Sequence, residues 1–505
     1  MPRRTSPRRT SPRRTSPRRT SPRRTSPRRT SPRRSRRQTR SKRATSSQKK
    51  RSRHVTRYRA AESEIVYLDQ QQQDLSGRNY YYATESEIVD LHQRIQDLSG
   101  RNYYPDYARI IAKQLVNNKV LTFLNLSSNY LTNRGWDMSG ILEIAKALES
   151  NMMLKNLDLS SNNLVGETAY IKATKVQGDS KEVGAKVTYQ GREMTVSKGI
   201  DSDGELKLAD FSGVYALAKA LKSNAVLTSL NLSSNNIGNY GAKEIAEALR
   251  SGKAVLTSLN LFDNRIGPEG ANAIADALGS GSAVLTTLDL SGNQLCGIDP
   301  KGEGTYDATG IRAIADALKS GKALTDLDLS GNQLCGIDIR HGGGTYHATG
   351  IQALADALGS GSAVLTSLNL SSNRIGKDGA EAIADALRSG KAVLTDLNLR
   401  NNNIGKDGAE AIADALRSSK VNNLNLSLNE IGDNGAVAIA AALKSGDTVL
   451  TDLNLARNII GTKGAEAIAE ALESGNAVLT SLNLYKNRID ETLLHRIRVH
   501  VLRIN

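Results

Sequence analysis

"LTSLNLSSNNIG" (227–238) decides the fold because it recurs. It returns as "LTSLNLFDNRIG" (256–267), "LTSLNLSSNRIG" (365–376), "LTDLNLRNNNIG" (394–405) and "LTDLNLARNIIG" (450–461). Its Asn falls at 129, 162, 235, 264, 293, 332, 373, 402, 429, 458 and 487, mostly 27 to 29 residues apart. Self-similarity at such a period signals stacked repeats. Leu-x-Leu flanked by small polar residues alternates like a short strand, and Asn and Gly close a turn after it. In the second half, "GAEAIADALRSGKA" (379–392), Ala380, Ile383, Ala384 and Leu387 recur at the three- and four-residue steps of a one-faced helix. About eleven such units predict an α/β solenoid. No unit can bury its apolar face alone, so stacking must make the core and the ends need caps.

These segments resemble leucine-rich repeats of the ribonuclease-inhibitor type, a group that includes the repeat regions of NOD-like receptors and Ran GTPase-activating proteins. The resemblance covers roughly 107–505. It implies a horseshoe with a parallel sheet on the concave face and helices outside. It implies little about function, because one fold hosts many roles.

The chain divides by composition. Residues 1–59 form an Arg/Ser/Pro-rich basic tail, expected to be disordered, that holds 25 of the 68 Lys and Arg and no Asp or Glu. The remaining 43 basic side chains face 51 acidic ones, so a net +17 hides a mildly acidic body. PRRTS occurs six times from Pro2, and no Leu, Ile, Val or Phe precedes Val55. Proline at that spacing denies a helix and nothing drives collapse, so an extended polycation is expected. It resembles repeated motifs of sperm-type histones and the Arg/Ser tracts of splicing proteins, which implies nuclear import or nucleic-acid attachment. Ser6, Ser11, Ser16, Ser21, Ser26 and Ser31 each have Arg at −3 and −2 and Pro at +1, a pattern suited to phosphorylation. Each phosphate would subtract about 1.5 to 2 charges.

Residues 60–106 hold a duplication, "ESEIVYLDQQQQDLSGRNYY" (62–81) against "ESEIVDLHQRIQDLSGRNYY" (85–104). Ile88, Leu91, Ile95 and Leu98 follow 3-4-3 spacing, which predicts a helical N-terminal cap or a short coiled coil. The repeats proper are expected over 107–490, with a C-terminal cap at 491–505.

Three insertions interrupt the repeats. The first, about 166–213, alternates around Gly and Asp-Gly turns as a small antiparallel meander, weakly resembling half a Tudor-like barrel. It reads either as an excursion on one loop or as an extra docking surface. "DSDG" (201–204) lacks the further ligands of a calcium loop. The other two, at 296–310 and 335–350, are twins after adjacent strands. They bring Cys296 and Cys335 into equivalent positions near His341 and His347. Packed free thiols, a redox pair and a metal site are the readings, and too few ligands argue against the last. Tyr306 and Tyr346 on these loops are candidates for partner contact.

The strand-flanking positions should line the concavity, since side chains alternate across a strand. Most are Ser, Asn, Thr and Asp. The larger or charged exceptions, Phe262, Asp263, Asp289, Asp326, Asp328, Asp396, Arg400, Arg457 and Tyr485, complete the candidate partner-binding residues. Asp289, Asp326 and Asp328 form the densest acidic patch, suited to a basic partner.

No catalytic constellation, cofactor motif or metal set is legible, so a non-enzymatic protein-interaction scaffold is expected. The alternatives are a regulator of a small GTPase or other enzyme acting through the concave face, and a NOD-like immune-sensor fragment. Expected partners are proteins, with nucleic acid at the tail and no membrane; oligomeric state is not encoded legibly. With no stretch of ~18 apolar residues and no apolar signal core, an intracellular protein, cytoplasmic or nuclear, is expected.

Overall fold

The computed structural model describes residue 91 and residues 93–504, apart from 300, 322, 337–344 and 502. The chain separates into two units, 1–79 and 80–505, and every described residue belongs to the second. Its repeats stack into a solenoid around a thirteen-stranded parallel sheet with helices on the other layer.

The strands are three residues long because each repeat supplies one Leu-x-Leu. Ile95–Asp97 (β1), Phe123–Asn125 (β2) and Asn156–Asp158 (β3) come first. The first insertion then contributes Gly166–Glu167 (β4), Ile171–Lys172 (β5), Lys186–Tyr189 (β6), Arg192–Lys198 (β7) and Glu205–Asp210 (β8). The array resumes with Ser229–Asn231 (β9), Ser258–Asn260 (β10), Thr287–Asp289 (β11), Asp326–Asp328 (β12) and Ser367–Asn369 (β13). It ends with Asp396–Asn398 (β14), Asn423–Asn425 (β15), Asp452–Asn454 (β16), Ser481–Asn483 (β17) and Arg503–Ile504 (β18). In the repeat strands, β2, β3 and β9 to β17, the central Leu pairs in register with its neighbour's and is buried. Each helix buries the face read from the sequence; Gly376–Arg388 turns Ala380, Ile383, Ala384 and Leu387 inward.

Hydrogen bonds stitch both ends of the strands. From Asn129 to Asn458 the recurring Asn after the repeat strand is buried, as at Asn402 (0% exposed). Its Oδ1 accepts from the N–H of Asn373 in the preceding repeat at 2.8 Å, while its Nδ2 donates to the carbonyls of Leu370 and Leu399 at 2.9 and 3.0 Å. Asn235, Asn373, Asn429 and Asn458 do the same, and Asn264 and Asn332 bridge their repeats with small changes of partner, so the motif's most constant letter is a ladder rung. Before the strand, the hydroxyls of Thr257, Thr286, Thr325, Thr366 and Thr395 each donate to the preceding repeat's carbonyl at 3.1–3.2 Å.

The residues flanking the Asn take left-handed backbone, at φ 55° for Asn401 and 56° for Asn403. Asn tolerates this region; β-branched side chains do not. Ile459 occupies it at φ 61°, 44% exposed. Ile459→Asn is therefore expected to raise unfolding free energy by about 1 kcal/mol, seen as a higher urea midpoint; an unchanged or lower midpoint would contradict this.

At the N-terminal end the structure corrects the helical reading of 60–106 where it is described; residues 60–90 lie outside the description, as does the basic tail. Residues 95–97 are β1, paired parallel with β2, and the first helix is Pro105–Val116, which straddles the expected boundary at 107. Gln96 stands where every other repeat from β2 to β17 has its inward Leu, so "IQDL" hides the Leu-x-Leu signal. Ile95 consequently lies outside, 63% exposed. At the other end, residues 491–505 hold a helix, Glu491–Arg498, whose N-cap Asp490 accepts from Leu493 N–H at 2.9 Å. β18 then adds to the sheet beside β17.

The first insertion is an antiparallel five-stranded sheet, ordered β4-β8-β7-β6 with β5 also on β8. Val176, Val187, Met194, Val196, Leu206 and Leu208 form its separate small core. It is fixed to the array on two flanks. Arg192 Nη1 donates to the Trp136 carbonyl at 3.0 Å on one, and Arg265 pairs with Glu167 at 3.7 Å on the other. The insertion is thus a clamped subdomain, more than an excursion on one loop.

Candidate functional site

The sheet face not covered by the helices carries two rows of side chains. In the row after each inward Leu, Asn or Asp has a structural duty: its Oδ1 accepts the N–H two residues on, closing an Asx turn. Asn231, Asp289, Asp328, Asn369 and Asn425 do so at 2.8–3.0 Å. The repeat consensus at this row is therefore turn chemistry first. The second carboxylate oxygen is what remains for a partner. That of Asp328 accepts from Asn369 Nδ2 at 2.7 Å.

The other row holds Asp326, Asp396 and Asp452, whose Oδ2 atoms lie 2.7, 2.8 and 2.9 Å from the hydroxyls of Thr325, Thr395 and Thr451 and share each single proton with the preceding repeat's carbonyl. Asn423 also donates to Asp396 at 2.9 Å. Asp289 and Asp328 are direct cross-strand partners, as are Thr287 and Asp326. Burial, and secondarily the charge of Asp328, raises the Asp289 pKa above the usual carboxylate value despite two bonds from Ser291. The sequence-predicted acids thus gather across β11–β14, lining a shallow, open depression of about 520 Å³ with Ser367, Asn398 and Asn425.

The remaining candidates lie past the strand ends, in the turns. Phe262 is 43% exposed and stands against Gly292 of the next repeat; Tyr485 is 55% exposed with Lys486 Nζ 5.3 Å from its ring centre. Asp263 and Arg457 take the left-handed turn position, where Asp263 accepts from Ser234 at 3.2 Å. Arg400 reaches the Ser427 hydroxyl at 3.3 Å.

The twin loops are tied inward more than the sequence suggested. Tyr306 donates its hydroxyl to the Leu334 carbonyl at 2.9 Å, and its ring stacks on His347 at 4.2 Å. Tyr346 repeats the device one unit on, donating to Ile375 at 2.7 Å and accepting from Gly379 N–H at 3.1 Å. Each tyrosine therefore clasps the following repeat, with its edge left for contact. Cys296 and Cys335 are free and buried beneath. Burial pushes both thiols up to about 12. At pH 8 that leaves roughly a thousandfold less thiolate than an ordinary cysteine. A thiol-disulfide reagent is expected to leave both unlabelled in the native chain and to titrate both at once in urea; fast native labelling would overturn the packing described. His341 lies outside the described residues, and among those described no group of three or more His, Cys, Asp or Glu is placed to hold a metal. The six tail serines also lie outside them.

Sequence reasoning passed over Trp136. It is the single Trp of the chain, 61% exposed, and its uniqueness was the signal available.

The geometry defines the class: stacked strand–turn–helix units held by an Asn ladder. Residues 223–246, 253–275, 361–384, 391–413, 417–440 and 446–469 match one Leucine Rich repeat family, and 284–303 match a second. The array is thus one of leucine-rich repeats. No curated protein matches the chain. Among solved structures, the internalin inlF from Listeria monocytogenes aligns at 17% identity over 82% of this chain and 86% of its own, with a TM-score of 0.40. The leucine-rich repeat-containing protein LegL7 from Legionella pneumophila aligns at 22% over 57% and 85%, TM-score 0.35. TLR13, solved as a complex with ssRNA13, aligns at 15% over 83% and 52%, TM-score 0.35. These are likenesses of fold alone. No helix among the described residues is long and apolar enough to cross a membrane.

Proposed function

We propose that the chain is a non-enzymatic, intracellular protein-interaction scaffold, with ribonuclease-inhibitor-type repeats and a basic tail that serves nuclear import or nucleic-acid attachment. The subtype rests on the 27–29-residue period and on the full helix that follows most strands. The function rests on one observation: the uncovered sheet presents oriented carboxylates of Asp289, Asp326, Asp328 and Asp396 among small amides and hydroxyls. Such a surface offers charge and hydrogen-bond acceptors without a deep pocket. It suits an extended, Lys- or Arg-bearing segment of a partner protein, which complementary charge would steer. Rim-exposed pairs are individually weak, so affinity must come from several at once.

Quantitative affinity capture by the full chain tests the reading, compared with Asp326→Lys/Asp396→Lys. Proteins held by the concave face should fall about tenfold in the variant, while nucleic acid held by the tail should be unchanged. Identical capture by both would remove the concave face from the function. The tail has its own signature: log affinity for duplex DNA should fall with log salt by about 0.9 per phosphate contacted. Removing residues 1–59 should abolish that dependence.

A further inference from the structure

Trp136 is held by its main chain and left open at its side chain. It lies in the turn that follows the rung Asn129. Thr132, fully buried, donates its hydroxyl to the Asn162 carbonyl at 2.7 Å and accepts from Gly135 N–H at 3.0 Å. Gly135 packs on Gly166 so closely that a Cβ on Gly135 would stand 2.5 Å from the Gly166 Cα. Arg192 at the start of β7 donates to the Trp136 carbonyl. A backbone fixed at these points, under an indole 61% exposed, is an anchor presented in advance. Trp and Arg supply a disproportionate share of hot-spot energy because they bury large, partly polar surfaces at small entropic cost.

The charges around it have a direction. The Arg134 guanidinium lies 5.4 Å from the Tyr130 ring centre and, among the described residues, has no carboxylate in ion-pair range. Arg192 has only Asp210 at 3.9 Å. The nearby acids are engaged: Asp137 accepts from Ser139 N–H at 2.9 Å and faces Arg109, and Glu193 pairs with Lys186 at 3.1 Å. Two cations with spare capacity therefore belong to the turn that presents an open aromatic, Arg134 within it and Arg192 bonded to its main chain.

We propose that Trp136, Arg134 and Arg192 form a second docking site, separate from the concave face, for an extended segment of a partner protein that carries carboxylates beside an aliphatic side chain. The aliphatic group covers the indole and the carboxylates meet the guanidiniums. Single-stranded nucleic acid would also stack on an indole, but its backbone calls for a continuous basic groove, whereas two cations stand here among acids already paired, Asp137, Glu193 and Asp210.

Because Trp136 is the only Trp, its emission reports this site and is blind to binding at the tail. The full chain in 0.15 M salt is titrated with an acetylated hexapeptide alternating Asp and Leu, with its Lys/Leu counterpart, and with a thymidine hexanucleotide. A saturable blue shift with the Asp/Leu peptide below ~1 mM, weakened at least about fivefold by Arg134→Ala, is the expected result. Arg134 makes no main-chain hydrogen bond among the described residues, so the Arg134→Ala melt should match the parent and keep the comparison valid. No saturable shift, an equal shift with the Lys/Leu peptide, a stronger one with the oligonucleotide, or full affinity in Arg134→Ala would each overturn the proposal.

Discussion

Replacing Asn402 with Ala is expected to lower the unfolding free energy by about 4 kcal/mol. The side chain is fully buried and serves three main-chain groups of two repeats: the Asn373 N–H and the Leu370 and Leu399 carbonyls. Alanine leaves the Asn373 N–H buried without a partner, at roughly 1–3 kcal/mol, and takes one of two donors from each carbonyl, which the Asn373 and Asn429 amides still serve at 3.1 and 2.8 Å, at about 0.5–1.5 kcal/mol each. In a quasi-one-dimensional array that weakness falls on one interface, so the transition should lose cooperativity as well as midpoint. Urea unfolding would show a lower or split transition. Asn272→Ala, on an exposed helix face with only a 3.5 Å contact to Asp276, should change stability by less than about 0.5 kcal/mol. Equal effects at the two sites would refute the ladder's role.

Gly166→Ala carries the second large effect. A Cβ there would stand 2.0 Å from the Gly135 carbonyl oxygen, and its nearest neighbours are all Gly135 main chain, with no flexible side chain to yield. Overpacking of that kind costs about 3 kcal/mol or more. The first insertion should part from the Trp136 turn, so limited proteolysis within 166–213 should accelerate and Trp136 emission should change together. Gly199→Ala provides the contrast, since its Cβ would meet only Val183 at an ordinary 3.6 Å. Unaltered proteolysis in Gly166→Ala would show that the insertion is not clamped there.

The periodic Leu and Asn carried almost all of the fold into view, because a strand, its turn and its helix each impose a residue type at a fixed spacing. The features that stayed hidden obey the same logic. β1 was read as helix because Gln96 takes the inward Leu position and leaves a 3-4-3 apolar spacing behind. The Asx duty of Asp289 and Asp328 was invisible because a turn-closing carboxylate and a partner-seeking one are the same letter. Tyr306 and Tyr346 looked like loop tips; their hydroxyls clasp the next repeat, a contact that depends on the loops folding back. Trp136 went unweighed because exposure is not written in a single position. The acidic row, by contrast, was legible in full, since alternation across a strand assigns the face once the inward Leu is known.

The central claim is that partners bind the carboxylate-bearing sheet face. Carbodiimide cross-linking of the full chain to a captured partner tests it most directly, because the reagent joins carboxylates to lysines in contact and peptide mapping names both. The expected result is a set of cross-links from Asp326, Asp328 or Asp396 to partner lysines, lost in Asp326→Lys/Asp396→Lys. Cross-links confined to the outer helices, with none from β11–β14, would contradict it.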